Sequence, residues 1–364
     1  MRIHIGFFGR TNSGKSTLVN ALASQDVSIV SPEPGTTTDP VYKAMEISPI
    51  GPCILIDTPG LEDDTALGEA RIKRTYREAA GCDVAVIVRS SEVSRAEREL
   101  EDIFSENNIP VVSVAQADRD DVEAVKAAII EAAEAVPGRT ILNGMVSAGD
   151  LVMLIMPQDK QAPKGRLILP QVATLRELLD VHARTMCVAP EEMESAISVL
   201  NEPPALIITD SQVFDYVYER KPDESKLTSF SILYAGLKGD IRVYADGAKA
   251  IDTLKPGARI LVAESCSHAP LEEDIGRVKI PALIKKRIGG DITVDVAAGK
   301  DFPEDLSGYD LILQCGGCMV NRRQIQGRIH EAEKQGVPIT NYGIAIAYIN
   351  GILEKVLDNR PVFC

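Results

Sequence analysis

Three cysteines and a glycine-rich octapeptide carry most of the chemistry that can be read from this chain. Cys315-Gly316-Gly317-Cys318 sets two thiols on a glycine turn, and Cys266-Ser267-His268 adds a third thiol and an imidazole. A Cys-x-x-Cys pair alone is compatible with half a zinc site, a redox dithiol, part of an iron–sulfur site or two buried thiols. Placement narrows this. Cys266 follows the strand pattern "ARILVAES", Cys315 follows "DLILQ", and Asn341-Tyr342-Gly343 closes "VPIT". Open α/β sheets gather ligands at the carboxyl ends of their strands. Two glycines also let backbone N–H groups approach sulfur, which stabilises an anionic cluster. With His268 the set is Cys3His and suits zinc; without a firm fourth ligand it suits a 4Fe–4S cluster with one open iron. Spacing alone leaves both open. The chain has seven cysteines, an odd and scattered set that argues against a disulfide framework. Cys53 and Cys82 sit in or beside apolar strands and read as core thiols, while Cys187 and Cys364 carry no spacing signal.

Gly9-Arg10-Thr11-Asn12-Ser13-Gly14-Lys15-Ser16 fits G-x-x-x-x-G-K-[ST] between a strand pattern and a helix pattern, the context that confirms a phosphate-binding loop. Gly9, Asn12, Ser13 and Gly14 would turn N–H groups onto phosphates, Lys15 would span the β and γ phosphates, and Ser16, followed by Thr17, would hold Mg²⁺. Asp57-Thr58-Pro59-Gly60 ends the strand "CILID", so Asp57 can reach Mg²⁺ through water and the Gly60 N–H can sense the γ-phosphate. Between them lies Pro34-Gly35-Thr36-Thr37-Thr38-Asp39. Together these resemble the translation-factor-type GTPases of the Era and TrmE group. That resemblance makes Thr37 the Mg²⁺ ligand, with Thr36 or Thr38 as substitutes, and Asn12 a K⁺ contact as in potassium-stimulated members. Leu61 follows Gly60, so no glutamine stands where Ras-like enzymes orient water, and unaided hydrolysis should be slow. The base-reading Asn-Lys-x-Asp is reduced to Ala115-Gln116-Ala117-Asp118. Asp118 can still accept from guanine. The lost contacts are worth roughly 1–3 kcal/mol, about ten- to a hundredfold in affinity, which weakens binding without abolishing it. The following Ser-Ala-Lys loop is absent, and Ser147-Ala148 reads as coincidence.

These groups must be positioned by alternating strands and helices, which implies an α/β chain. Three segments are expected: a P-loop GTPase domain over 1–138, a small α/β dimerisation domain over 139–225 ending at "KPDESK", and a C-terminal α/β iron–sulfur cluster domain over 226–364. A small sheet leaves open edges that pairing with a second copy would cover. Formal net charge is −14, from 53 acids against 39 bases. So acidic a surface argues against nucleic acid as a partner, and Lys285-Lys286-Arg287 reads as a solvated helix end. No apolar run reaches the ~20 residues needed to span a bilayer, and the N-terminus lacks a secretory pattern, so a cytoplasmic protein without a membrane partner is expected. His4, His182 and His330 have no ligand-like context.

"PGTTTDPVYKAMEI", "DKQAPKGRLILPQ", "RVKIPALIKK", "GKDFPEDLS", "CGGCMVNR" and "GVPITNYGIAIAY" span all three segments. Through them the whole chain resembles the HydF family of FeFe-hydrogenase maturation GTPases. The family's cluster motif is Cys-x-His followed, after a long spacer, by His-Cys-x-x-Cys. By that resemblance Cys266, Cys315 and Cys318 hold a 4Fe–4S cluster, His268 is a ligand or a hydrogen-bond partner, and Gln314 replaces the second histidine. A glutamine amide is a poor iron ligand, which would leave one iron exchangeable. The resemblance also implies GTP hydrolysis, a homodimer, and partners in apo-hydrogenase and two radical-SAM maturases. It further implies transfer of a di-iron precursor bearing CO, cyanide and a dithiolate bridge. Two other readings stand: a zinc-stabilised GTPase switch unrelated to hydrogenase, and a scaffold whose first domain has lost turnover.

Overall fold

Alternating apolar strands and amphipathic helices build three sheets, seen in a computed structural model that describes residues 2–25, 40–61, 68–89, 93–118, 120–136, 138–157, 167–265, 274–299, 302–318 and 320–357. The chain divides into two compact units, Met1–Gly138 and Arg139–Cys364.

In the first unit, β1 (Ile3–Gly9), β2 (Val41–Ile47), β3 (Gly51–Asp57), β4 (Val84–Arg89) and β5 (Val111–Ala115) form one sheet in the order β2-β3-β1-β4-β5. Only β2 runs antiparallel. Alternation along β1 sends Ile5 and Phe7 to one face, against Leu18 and Leu22 of the helix Lys15–Gln25 and Val125 and Ile129 of the helix Val122–Glu134. Phe8 faces the other side, with Leu100 and Phe104 of the helix Arg95–Glu106, and the Phe8 and Phe104 rings lie 5.2 Å apart. That helix starts on a capping box: the Glu97 N–H donates to the Ser94 hydroxyl at 3.2 Å, and the Ser94 N–H donates to the Glu97 carboxylate at 2.7 Å. Burial on both faces leaves the strand ends as the places where polar groups can meet a ligand.

The second unit holds two all-parallel sheets. β6 (Leu151–Ile155), β7 (Arg184–Val188), β8 (Leu206–Thr209) and β9 (Lys226–Ser229) take the order β7-β6-β8-β9. β10 (Arg259–Ala263), β11 (Thr293–Ala297), β12 (Leu311–Gln314) and β13 (Ile339–Asn341) take the order β11-β10-β12-β13. Met153, Ile155 and Ile207 of one sheet share a core with Leu261, Ile312 and Ile339 of the other. Between them pack Ile232 and Ala235 of the helix Phe230–Lys238 and Tyr244 and Ala248 of the helix Ile241–Lys249.

One expectation needs correction. Lys226–Ser229, assigned above to the third segment, hydrogen-bonds along β8, so "KPDESK" leads through a turn into the last strand of this sheet and is not its exit. The C-terminal run "IAIAYINGILEKVL" forms two helices, Tyr342–Ile349 and Leu353–Leu357, separated where Gly351 takes φ +71°. Lys285, Lys286 and Arg287 occupy the exposed last turn of the helix Ile280–Ile288, capped by the left-handed Gly289, as expected.

Glycine 247 fixes how closely helix and sheet meet. A Cβ there would lie 2.0 Å from the Ile339 carbonyl oxygen, and backbone of a buried strand cannot yield. In the exposed interior of the helix Arg322–Lys334, a Cβ on Gly327 meets nothing within 4 Å. Gly327→Ala is therefore expected to stabilise the second unit by about 0.5–1 kcal/mol through helix propensity. Gly247→Ala should reverse the sign and cost about 1–3 kcal/mol through overpacking. Thermal or urea unfolding of the two variants checks the contrast.

Candidate functional site

Two strand-end rims, one in each unit, carry the candidate groups. In the first unit β1 delivers the phosphate loop. Gly9 has φ +142°, and a Cβ there would stand 2.4 Å from the Val88 carbonyl oxygen. Asn12 at φ +62° and Gly14 at φ +96° give the loop its left-handed turns, which asparagine and glycine tolerate best. Ser13 is buried and Thr17 is exposed.

Lys15, only 6% exposed, opens the helix and folds its ammonium onto the loop, donating to the carbonyls of Gly9 at 3.0 Å and Arg10 at 2.7 Å. Burial pushes its pKa down to about 8, against the opposing charge of Asp57. Asp57 ends β3, directly across the ladder from Phe7. Burial pushes its carboxyl up, offset by a hydrogen bond from Ser16 and the charges of Lys15 and Lys43. One Asp57 oxygen, Oδ1, is buried with no hydrogen-bond partner among the described residues. A buried, unsatisfied carboxylate oxygen beside a serine hydroxyl at a helix N-terminus fits a hard divalent cation such as Mg²⁺.

The segment after β3 is tied to β1: the Thr58 hydroxyl donates to the Phe7 carbonyl at 2.6 Å, and the Leu61 N–H donates to the Gly9 carbonyl at 3.3 Å. Gly60 lies so close to the phosphate loop that a Cβ would sit 2.3 Å from the Thr11 hydroxyl. Asp118 is exposed in the turn after β5, on the same rim, with its N–H donating to Ala115 O at 2.9 Å. Among the described residues the sheet ends at β5, in keeping with the missing Ser-Ala-Lys loop. Thr36, Thr37 and Thr38 lie outside the described residues.

In the second unit the strand order β11-β10-β12-β13 reverses direction between β10 and β12, the switch point at which open α/β sheets bind ligands. Cys315 follows β12 there, its N–H extending the ladder to Ala263 O at 3.0 Å. Its thiol donates to the Ser265 hydroxyl at 3.2 Å and accepts from the Gly317 N–H at 3.4 Å and the Gln314 amide at 3.6 Å. Burial pushes this thiol up, while the Ser265 and Gly317 contacts pull it back. Gly317 makes the turn at φ +66°, and Asn341 at the end of β13 donates to the Cys315 carbonyl at 3.4 Å. Cys318, half-buried, completes the loop.

Gln314 is fully buried and committed: its amide N–H donates to Cys315, and its oxygen accepts from Arg328 at 3.0 Å. Cys266 and His268 lie outside the described residues, as does Cys364. No group of three His, Cys, Asp or Glu side chains able to hold a metal occurs among the described residues. Cys53 and Cys82 are buried core thiols, with burial lifting Cys53 to about 11, and Cys187 is exposed. His4 is buried beside Asp83, whereas His182 and His330 are exposed. Sequence reasoning missed Ser265, Arg328 and Lys238, whose positions carry no motif.

Three family models match in series. A 50S ribosome-binding GTPase model matches residues 4–117, a hydrogen maturase F dimerization domain residues 141–239, and a hydrogen maturase F tetramerization domain residues 242–359. The second model ends past β9, in accord with the strand pairing. The chain belongs to the hydrogen maturase F family. Its domain content is that of a GTP-binding, oligomer-forming hydrogenase maturation protein. The GTPase segment is also similar to the tRNA modification GTPase MnmE. The Bordetella parapertussis protein is 41% identical over 83 residues, 22% of this chain and 18% of that one. The Herminiimonas arsenicoxydans protein is 37% identical over 118 residues, 31% and 25% of the two chains. The chain thus spans about a quarter or less of the length of these two curated relatives. The G domain of the T. maritima FeoB iron transporter matches at 21% identity and a TM-score of 0.27, over 36% of this chain and 99% of that one. No helix among the described residues is long and apolar enough to cross a membrane.

The pairing of Asp57 with Ser16 generates a direct test. Asp57→Asn should lower GTP affinity about tenfold or more in Mg²⁺, the loss of one charged contact, and leave affinity in EDTA near wild type. Titration of a fluorescent GTP analogue under both conditions checks it.

Proposed function

We propose that the chain is a cytoplasmic GTP-binding scaffold of FeFe-hydrogenase maturation, with separate nucleotide, oligomerisation and thiol modules. In this reading residues Cys266, Cys315 and Cys318 hold a 4Fe–4S cluster, and a di-iron precursor carried there is passed to apo-hydrogenase. The observation that carries it is the 3.2 Å hydrogen bond between the Cys315 thiol and the Ser265 hydroxyl. Ser265 is one peptide bond from Cys266, and consecutive Cα atoms are about 3.8 Å apart. Two glycines keep the loop open to sulfur, and the Gly317 N–H already donates to it. Bound by three thiolates, a cluster supplies an exchangeable iron at which a precursor's bridging ligand can be held. Gln314 is spoken for by Arg328 and Cys315, which supports a fourth position not taken by the residue standing where the family's histidine would be.

At the other rim Lys15 meets phosphate charge, Ser16 and Asp57 hold Mg²⁺ with Thr37 closing over it, Gly60 senses the γ-phosphate and Asp118 selects guanine. Asn12 is the K⁺ contact. Phosphate oxygens would give the Lys15 ammonium a partner better than the two carbonyls it now uses. Hydrolysis is slow because Leu61 stands where Ras-like enzymes place their water-orienting glutamine, and its role is to bias association with the radical-SAM maturases and the hydrogenase.

Self-association is supported by the helix Leu169–Asp180, which leaves Leu169, Val172 and Leu179 about half exposed, and by β7, an edge strand beside it. The acidic surface supports protein partners over nucleic acid.

Anaerobic reconstitution with iron and sulfide is expected to give about four irons per chain and a paramagnetic signal after dithionite. A colourless protein with about one zinc would replace this reading with the zinc-stabilised switch. Cys315→Ser should abolish the signal and hydrogenase activation while leaving GTP affinity unchanged; equal loss of both would contradict separate modules. GTP turnover should be faster in K⁺ than in Na⁺ and vanish in Lys15→Ala. Turnover absent from the wild type as well would make the first module a binding device only, the alternative that Ala115 and Gln116 suggest.

A further inference from the structure

Arg328 is 7% exposed, deep beside the thiol rim. Its guanidinium donates to the Gln314 amide oxygen at 3.0 Å and to the Gly299 carbonyl, and lies 5.2 Å from the Phe302 ring centroid. None of these partners is anionic. Among the described residues, the ionisable groups that face it are the Cys315 thiol and the Tyr244 phenol. No ion pair to a carboxylate is formed by Arg328 among the described residues. Arginine cannot shed its proton to escape, so a full positive charge is buried with only an amide oxygen and a backbone carbonyl as hydrogen-bond acceptors among the described residues, an arrangement that is costly unless an anion completes it.

A second buried cation faces the same loop from another element. Lys238, 3% exposed at the end of the helix Phe230–Lys238, donates to the carbonyls of Gly317 at 2.5 Å, Val320 at 2.7 Å and Cys318 at 3.4 Å. It belongs to the segment matched by the dimerization domain, yet it clamps the loop of the tetramerization domain.

We infer that Arg328 and Lys238 are positioning residues that make the thiol rim a cationic seat for an anionic metal–thiolate group, Arg328 acting through Gln314 and Lys238 through the loop carbonyls. This rests on the cluster reading above and adds a consequence to it. A cluster on three thiolates gains one further negative charge when it takes an electron from dithionite. Fixed cations favour that reduced form, so removing one should lower the midpoint potential.

The full-length chain, reconstituted anaerobically with iron and sulfide, decides this by dithionite titration followed by EPR, beside iron analysis and circular dichroism. In Arg328→Met, iron content should stay near wild type because every proposed thiol ligand remains. At the wild-type midpoint the ratio of reduced to oxidised cluster should fall at least tenfold, equivalent to a 59 mV shift for one electron. Arg328→Lys should recover most of it. Lys238→Met should shift the ratio in the same direction and also lower iron retention, since the loop loses its clamp. A loaded Arg328→Met protein with a ratio within a factor of two of wild type overturns the inference alone. Wild-type protein that takes up no iron overturns the cluster reading instead. Should Arg328→Met lose its fold, Lys238→Met decides by the same ratio.

Discussion

The parallel pairing of β10 with β12 is the contact on which the thiol rim rests. Ala263 stands opposite Gln314 in that ladder, so the two strands leave the sheet level with one another. Cys315 continues the hydrogen bonding for one residue more, to Ala263 O, and Ser265 arrives at its sulfur. Burial of Val262 and Leu313 on one face of the sheet and of Leu261 and Ile312 on the other holds this register, because a one-residue slip would exchange the side chains fitted to two different cores. A thiol motif distant in sequence thus becomes local in space through apolar packing, and the polar atoms at the rim are placed by residues that have no chemistry of their own.

The same logic shapes the nucleotide rim, with charge added. Lys15 is buried and Asp57 half-buried, and loss of solvent moves each toward neutrality against the pull of the other. Neither finds full compensation: the ammonium makes do with two loop carbonyls, and one carboxylate oxygen has no partner among the described residues. Such a pair is poorly served by protein alone and well served by phosphate and a divalent cation, which bring the missing opposite charges.

What was legible in the sequence follows from what kind of signal each feature leaves. β1, β3, β4, β10 and β12 are apolar runs of ordinary length, and the phosphate loop and Cys-x-x-Cys have fixed spacing. β7, β9 and β11 left little trace. β7 and β11 are edge strands of "RTMCV" and "TVDVA" with half-exposed side chains, and β9 is the four-residue "KLTS". Edge strands need charge and brevity to stay unpaired, which erases the apolar signature used to find them. Missing β9 misplaced the segment end at 225. Arg328 and Lys238 were invisible for another reason. A helical arginine in "RRQIQGRIHEAEK" and a lysine closing "FSILYAGLK" carry no motif, and only tertiary packing turns them inward.

The second and third sheets share one strand order, in which the first strand lies between the second and third, although no repeat is evident in the sequence. Each therefore has its own switch point. At the β6–β8 rim the described polar groups satisfy one another: Gln171 donates to Asp210 at 2.9 Å, the Thr209 hydroxyl to Ile155 O at 3.1 Å, and Ser211 to Ser229 at 3.4 Å. At the β10–β12 rim the Cys315 sulfur makes only long contacts of 3.2 to 3.6 Å, while Arg328 donates to the Gln314 amide oxygen and Lys238 to loop carbonyls. Hydrogen bonds to thiols are weak, so freeing the Cys315 sulfur breaks little, whereas opening the other rim would break stronger bonds. One topology, used twice, is closed by its own side chains in one sheet and left receptive in the next.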